Sequence, residues 1–87
     1  MPCYLVCYEP SAAPKVRKHL LAGYPAQCRV TDTVWAIVTD QKPKEIVDSF
    51  ASVLAPQDRL FVIRTGGEGA WVNPFGPTFT EWLRTNL

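Results

Sequence analysis

Glu9 is the carboxylate in this chain best placed to do chemistry. It follows the apolar run Cys3-Tyr4-Leu5-Val6-Cys7-Tyr8 and precedes Pro10, at a strand-to-helix junction of the kind where functional side chains concentrate. If two copies pair around a two-fold axis, their two Glu9 groups can face one another and hold a divalent cation, Mg²⁺ or Mn²⁺, through oxygen. Phosphodiester cleavage by a metal-activated water wants that arrangement, and on this reading Glu9 is both catalytic residue and metal ligand. The competing reading is a solvated or helix-capping acid at a turn. A single carboxylate leaves both open.

The second candidate set is basic. Lys15, Arg17 and Lys18 fall close together with His19, and Arg29 lies further on, with Lys42 or Lys44 as possible additions. Such a set can contact nucleic-acid phosphates, or it can be the wet face of an amphipathic helix. His19 has no Cys/His or Ser/His/Asp spacing around it and reads as a surface histidine. The loop Thr65-Gly66-Gly67-Glu68-Gly69 lacks the GxxxxGK[ST] pattern of a phosphate loop and reads as a bulge or tight turn, with Glu68 as a second candidate carboxylate. Trp35 and Trp71 read as packing residues, because no RNP-like sequence surrounds them.

Composition narrows the classes further. At 87 residues the chain reads as one domain, 1–87, with a net charge of +1 that supplies no strong global field. Cys3, Cys7 and Cys28 are odd in number and lack zinc-ligand spacing, so they read as reduced, mostly buried thiols of a cytoplasmic protein. No apolar run reaches membrane-spanning length, and no basic leader precedes the first strand, so no membrane partner is expected.

The elements that must position these residues follow from punctuation and periodicity. A strand is expected over Cys3–Tyr8, then a helix over Ala12–Gly23, capped by Ser11, with Pro14 in its first turn and Val16, Leu20, Leu21 and Tyr24 as its apolar face. A hairpin follows: a strand over Gln27–Val30, a turn at Thr31-Asp32 and a strand over Thr33–Thr39. A second helix begins at Pro43 and ends at Pro56, with Ile46, Val47, Phe50, Val53 and Leu54 as its stripe. A fourth strand runs over Asp58–Thr65. Beyond the glycines, Ala70–Asn73 can be extended, Pro74–Pro77 irregular and Thr78–Leu87 a short helix carrying Phe79, Trp82 and Leu83.

The order β-α-β-β-α-β plus an extension is the α+β, ferredoxin-like split βαβ pattern: a four-stranded antiparallel sheet with two helices on one face. The strands do not alternate apolar and polar, so both faces of the sheet need cover. A second copy packed sheet to sheet is the leading source of the second cover, which makes a homodimer the expected partner state. The alternative is that the aromatic tail, with Trp71, Phe75, Phe79 and Trp82, folds back over that face.

Three segments carry a family resemblance: Tyr4-Leu5-Val6-Cys7-Tyr8-Glu9, Thr33-Val34-Trp35-Ala36-Ile37-Val38-Thr39-Asp40, and Asp58-Arg59-Leu60-Phe61-Val62-Ile63 leading to Gly67-Glu68-Gly69-Ala70-Trp71. With Trp82-Leu83, they make the chain resemble the small CRISPR-associated Cas-two-like proteins, and more closely their stand-alone SinR-like relatives of bacteria and phages. The resemblance implies a ferredoxin-like homodimer in nucleic-acid-related or mobile-element biology, either a weak metal-dependent nuclease or a scaffold that holds nucleic acid. The family's first-strand acid is an aspartate, and Glu9 is one methylene longer. A non-enzymatic module that docks a protein partner is the reading from a different class.

Overall fold

The structure, a computed structural model, describes residues 2–65 and 77–86. The expected glycine turn, the extended residues 70–73, and Glu68, Trp71 and Phe75 lie outside the described residues. The elements are β1 (Cys3–Tyr8), a 3₁₀ turn (Pro10–Ala12), α1 (Ala13–Gly23), β2 (Gln27–Thr31), β3 (Val34–Val38), α2 (Pro43–Phe50), β4 (Leu60–Arg64) and α3 (Pro77–Asn86).

The protein is α+β, with one four-stranded antiparallel sheet in the order β2-β3-β1-β4. β1 is central because it is apolar along its whole length and so tolerates neighbours on both edges. Its register with β3 pairs Tyr4 with Ile37 and Val6 with Trp35, and its register with β4 pairs Val6 with Val62 and Tyr8 with Leu60. Those residues share one face, since partners across a ladder point the same way. Against that face pack Ala13, Val16, Leu20 and Tyr24 from α1 and its end, and Ile46 and Phe50 from α2. Both helices therefore cover the same side.

Several expectations need correction. Ser11 does not cap α1; it sits inside the 3₁₀ turn, and the residue before the helix, Ala12, offers no side-chain cap. Proline at position 10 starts that turn, and a second proline at 14 still falls within the first helical turn, so neither removes an intrahelical bond. Leu21 is 58% exposed rather than core, because the buried line runs 13, 16, 20, 24 and residue 21 turns about 100° away from residue 20. Val47 is likewise exposed beside buried Ile46.

α2 ends at Phe50, short of Pro56. The chain then tightens into turns in which both Val53 and Leu54 donate to the Phe50 carbonyl, at 3.0 and 3.1 Å. These turns still bring Val53 and Leu54 onto the core, so the stripe survives the loss of regular helix. At the start of α2 the Lys42 N–H donates to Glu45 at 2.9 Å, half of a capping box. α3 begins at Pro77, one residue earlier than the sequence suggests.

The opposite face carries Cys3, Leu5 and Cys7 beside Val38, Ala36 and Val34. α3 meets the sheet there, on the β2 side. Trp82 packs against a cluster of Cys3, Cys28 and Ala36 that Leu5, Val30 and Val38 border. The tail therefore supplies part of the second cover. On the β4 side Phe61 stays 60% and Ile63 47% exposed. No helix among the described residues is long and apolar enough to cross a membrane.

The buried face of α2 should dominate stability. Phe50→Ala is expected to cost about 3–5 kcal/mol, from lost burial plus the cavity left behind, whereas Leu21→Ala should stay within about 0.5 kcal/mol. Urea unfolding midpoints at constant slope will separate the two.

Candidate functional site

Glu9 leaves β1 in an extended conformation and its carbonyl accepts the Ala12 N–H at 3.0 Å, which fixes the strand-to-turn corner. Its side chain lies in a shallow groove of about 400 Å³ with Cys7, Tyr8, Arg59, Leu60 and Phe61. Arg59 Nη1 donates to Glu9 Oε1 at 3.1 Å. Both groups are solvated, so the pair is worth at most about 1 kcal/mol, yet it places a cation on the carboxylate. Among the described residues no set of three or more His, Cys, Asp and Glu is arranged to hold a metal. In a lone chain the donors at Glu9 do not fit a divalent ion: one carboxylate oxygen pair, with a guanidinium against it.

The four candidate phosphate contacts separate into distinct environments. Lys15 Nζ donates to Asp58 Oδ2 at 2.5 Å, across from α1 to the turn that precedes β4. Lys18 is exposed, and with Arg17, Pro14, Leu21 and Ala22 it lines a hollow of about 540 Å³ along α1. Arg29 Nη2 donates to Asp32 Oδ1 at 2.5 Å. Arg17 and Arg29 converge electrostatically on one group, the Tyr8 hydroxyl, although they come from a helix and an edge strand.

Tyr8 ends β1 on the helix face, and its hydroxyl donates to the Asp32 carbonyl at 3.2 Å. Burial pushes the phenol up, and the Trp35 indole and the two guanidiniums pull the other way. Arg29 lies directly opposite Trp35 in the β2–β3 register, and a bulge between Arg29 and Thr31 turns the strand toward Asp32. The result is a polar corner made of Tyr8, Arg17, Arg29, Asp32 and Trp35. Sequence reasoning named the two arginines and read Trp35 as a packing residue, while Tyr8 was only part of an apolar strand; their polar atoms become relevant only once the register is known.

His19 also departs from expectation. It is half-buried, its ring tilted over Phe50 with centroids 4.4 Å apart, and Nε2 is 3.1 Å from Ser49 Oγ. Tyr24 donates to Gln41 Oε1 at 2.8 Å and Ser49 donates to the Ile46 carbonyl at 2.7 Å. With the Ser49 proton engaged there, His19 Nε2 is left as the donor to Ser49 Oγ. A histidine that gives its proton to the serine is not acting as its base, so the pair ties α1 to α2 rather than forming a nucleophile. The thiols are equally quiet. Burial, then neighbouring Cys3, pushes Cys28 up to about 11, and burial raises Cys3 and Cys7 as well, so all three are neutral at pH 7.

Asp58 carries the pH dependence that this geometry predicts. The hydrogen bond from Lys15, followed by the Ala55 N–H at 2.7 Å, holds its carboxyl below the ordinary value of 3.8. A depressed acid stabilises the fold above its unfolded pKa, and that stabilisation is lost as pH falls through the folded value. Stability is therefore expected to fall as pH drops below about 4. Asp58→Asn should be less stable at pH 7 and show a shallower acid limb, read from urea unfolding between pH 7 and pH 2.

No protein-family model matches the chain, and neither a curated protein nor a solved structure does.

Proposed function

We propose that the chain is a cytoplasmic, ferredoxin-like βαββαβ homodimer of the Cas-two-like kind that acts as a nucleic-acid scaffold. The strand order supports the fold reading: taken from the other edge it is β4-β1-β3-β2, with α1 and α2 each linking strands that have one other strand between them. The observation that carries the dimer is the half-covered sheet face. Phe61 and Ile63 stand exposed opposite Cys7 and Leu5, beyond the reach of the Trp82 cluster. A second copy placed there removes this apolar strip from water and brings the two Glu9 grooves, which share Cys7 and Phe61 with it, near the two-fold axis.

The scaffold role rests on cations rather than on Glu9. Arg17 and Lys18 border one hollow and Arg29 lies near Arg17 around Tyr8, a local positive region on a molecule of net charge +1. The Arg59 contact on Glu9 favours scaffold over nuclease. A docking module for a protein partner remains the second reading, favoured by the same Phe61 and Ile63 strip on an edge strand.

Sedimentation velocity should return a dimer, and Phe61→Arg with Ile63→Lys should return a folded monomer. Single-stranded oligonucleotide affinity should fall steeply with salt, and Arg17→Gln should lower the slope of log K against log salt by about one. Cleavage in Mg²⁺ or Mn²⁺ that disappears in Glu9→Gln would replace the scaffold with the nuclease. A monomer with no salt-dependent binding would overturn both.

A further inference from the structure

The two edges of the sheet differ. β2 carries a bulge between Arg29 and Thr31 and meets α3, and a bulge is one of the devices that keep an edge strand from pairing with another chain. β4 has neither bulge nor proline. Its register with β1 runs without a shift from Arg64 to Leu60, and among the described residues no strand lies on its far side.

Backbone hydrogen bonds show which groups of β4 are left over. The Tyr8 N–H donates to the Thr33 carbonyl and the Thr39 N–H to the Pro2 carbonyl, so the even-numbered residues of β1 bond toward β3. The Thr65 N–H donates to the Cys3 carbonyl at 2.9 Å, so the odd-numbered residues bond toward β4. These directions alternate along an antiparallel ladder. Phe61, Ile63 and Thr65 therefore turn their N–H and C=O groups to β1, while Leu60, Val62 and Arg64 turn theirs outward. Beside that open row stand the side chains of Phe61 and Ile63, 60% and 47% exposed. A row of free donors and acceptors with an apolar pair beside it fits an extended apolar strand, and β4 is itself such a strand.

We propose that β4 pairs edge to edge with β4 of a second copy, antiparallel about a two-fold axis at Val62, which joins the two sheets into one. In that register Leu60 lies opposite the partner's Arg64, so every outward N–H and C=O from Leu60 to Arg64 finds a bond. Phe61 lies opposite the partner's Ile63 in the closer, non-hydrogen-bonded pairing, and both side chains leave water. An axis moved to Ile63 sets Phe61 against the partner's Thr65, and one moved to Phe61 sets Ile63 against the partner's Arg59. The charges agree with the axis at Val62: Arg59 falls opposite the partner's Thr65 and Arg64 opposite the partner's Leu60, so no two cations meet, and each Arg59 keeps its own Glu9. This deepens the homodimer reading and rests on it. The two Glu9 grooves approach the axis at Phe61, but each acid is bonded to its Arg59, and the two Arg59 positions are about six residues apart along the shared ladder, roughly 20 Å. One cation cannot bridge them.

The test is amide hydrogen exchange by NMR on the full chain, dilute and concentrated, with sedimentation velocity at the same concentrations. The Phe61, Ile63 and Thr65 N–H groups should exchange slowly at both, because β1 holds them. The Leu60, Val62 and Arg64 N–H groups should exchange fast in the dilute monomer and slow by about tenfold once roughly nine-tenths of the chains are dimeric. Arg64→Pro removes an outward donor from an exposed residue without touching a bond to β1. It should raise the dimer dissociation constant at least about tenfold, since one hydrogen bond is lost on each side of the axis, whereas Arg64→Ala should not. Unchanged protection of Phe61 and Ile63 in the proline variant reports an intact sheet, and if that variant does not fold, exchange in the unaltered chain decides alone. A dimer whose Val62 and Arg64 amides stay fast overturns the edge pairing and leaves the homodimer to the sheet face. Slow exchange of those amides in a monomer overturns it as well, because a segment of the same chain then holds the edge. A monomer with fast exchange at every concentration overturns the edge pairing and the homodimer together.

Discussion

β1 is apolar on both of its faces, and that constraint organises everything around it. Tyr4, Val6 and Tyr8 point to one side while Cys3, Leu5 and Cys7 point to the other. A strand of that kind must be central and must be sandwiched, since each exposed face would leave apolar area in water at roughly 25 cal/mol per Å². Its central position sends β2–β3 to one edge and β4 to the other. The helices between those strands then return over the Tyr4, Val6, Tyr8 face, where Leu20, Ile46 and Phe50 are fully buried.

The second face is treated differently on its two sides. Small residues, Cys3, Cys28 and Ala36, leave room for one large side chain, and Trp82 from α3 fills it. Toward β4 the residues grow larger and more exposed, ending in Phe61 and Ile63. The gradient from covered to open runs across the sheet and ends beside the Glu9 groove, so the apolar strip and the acid share one edge of the molecule. The basic corner lies on the helix face instead, around Tyr8.

Polar atoms in the core sit at the ends of aromatic side chains rather than on dedicated polar residues. Tyr24 reaches Gln41, Tyr8 reaches the Asp32 carbonyl, and His19 reaches Ser49 from above Phe50. Each spans the apolar layer and finds its partner near the rim, as amphipathic rings do. The corner around Trp35 is where this pattern is incomplete, and it is also where two guanidiniums gather.

The element order, the two main helix stripes and the need to cover both sheet faces were legible in the chain, because strand and helix periodicity and proline punctuation are local properties. The placement of Glu9 at the end of β1 follows from the same local signals, as does Trp35 as a packing residue. What the local pattern missed were the choices between near-equivalent positions: Leu21 and Val47 lie one residue from buried neighbours, and only the direction of the sheet tells which side of the helix is inside. The partners of charged groups were also out of reach. Lys15 meets Asp58 forty-three residues away, Glu9 meets Arg59 at fifty, and His19 meets Ser49 at thirty. Such pairs depend on how α1, α2 and β4 dock, and electrostatic contacts between distant segments leave no spacing in the sequence. Tertiary structure alone decided that Lys15 meets Asp58 and that Arg17 and Arg29 act on Tyr8, because that is set by strand register and helix placement rather than by neighbours along the chain.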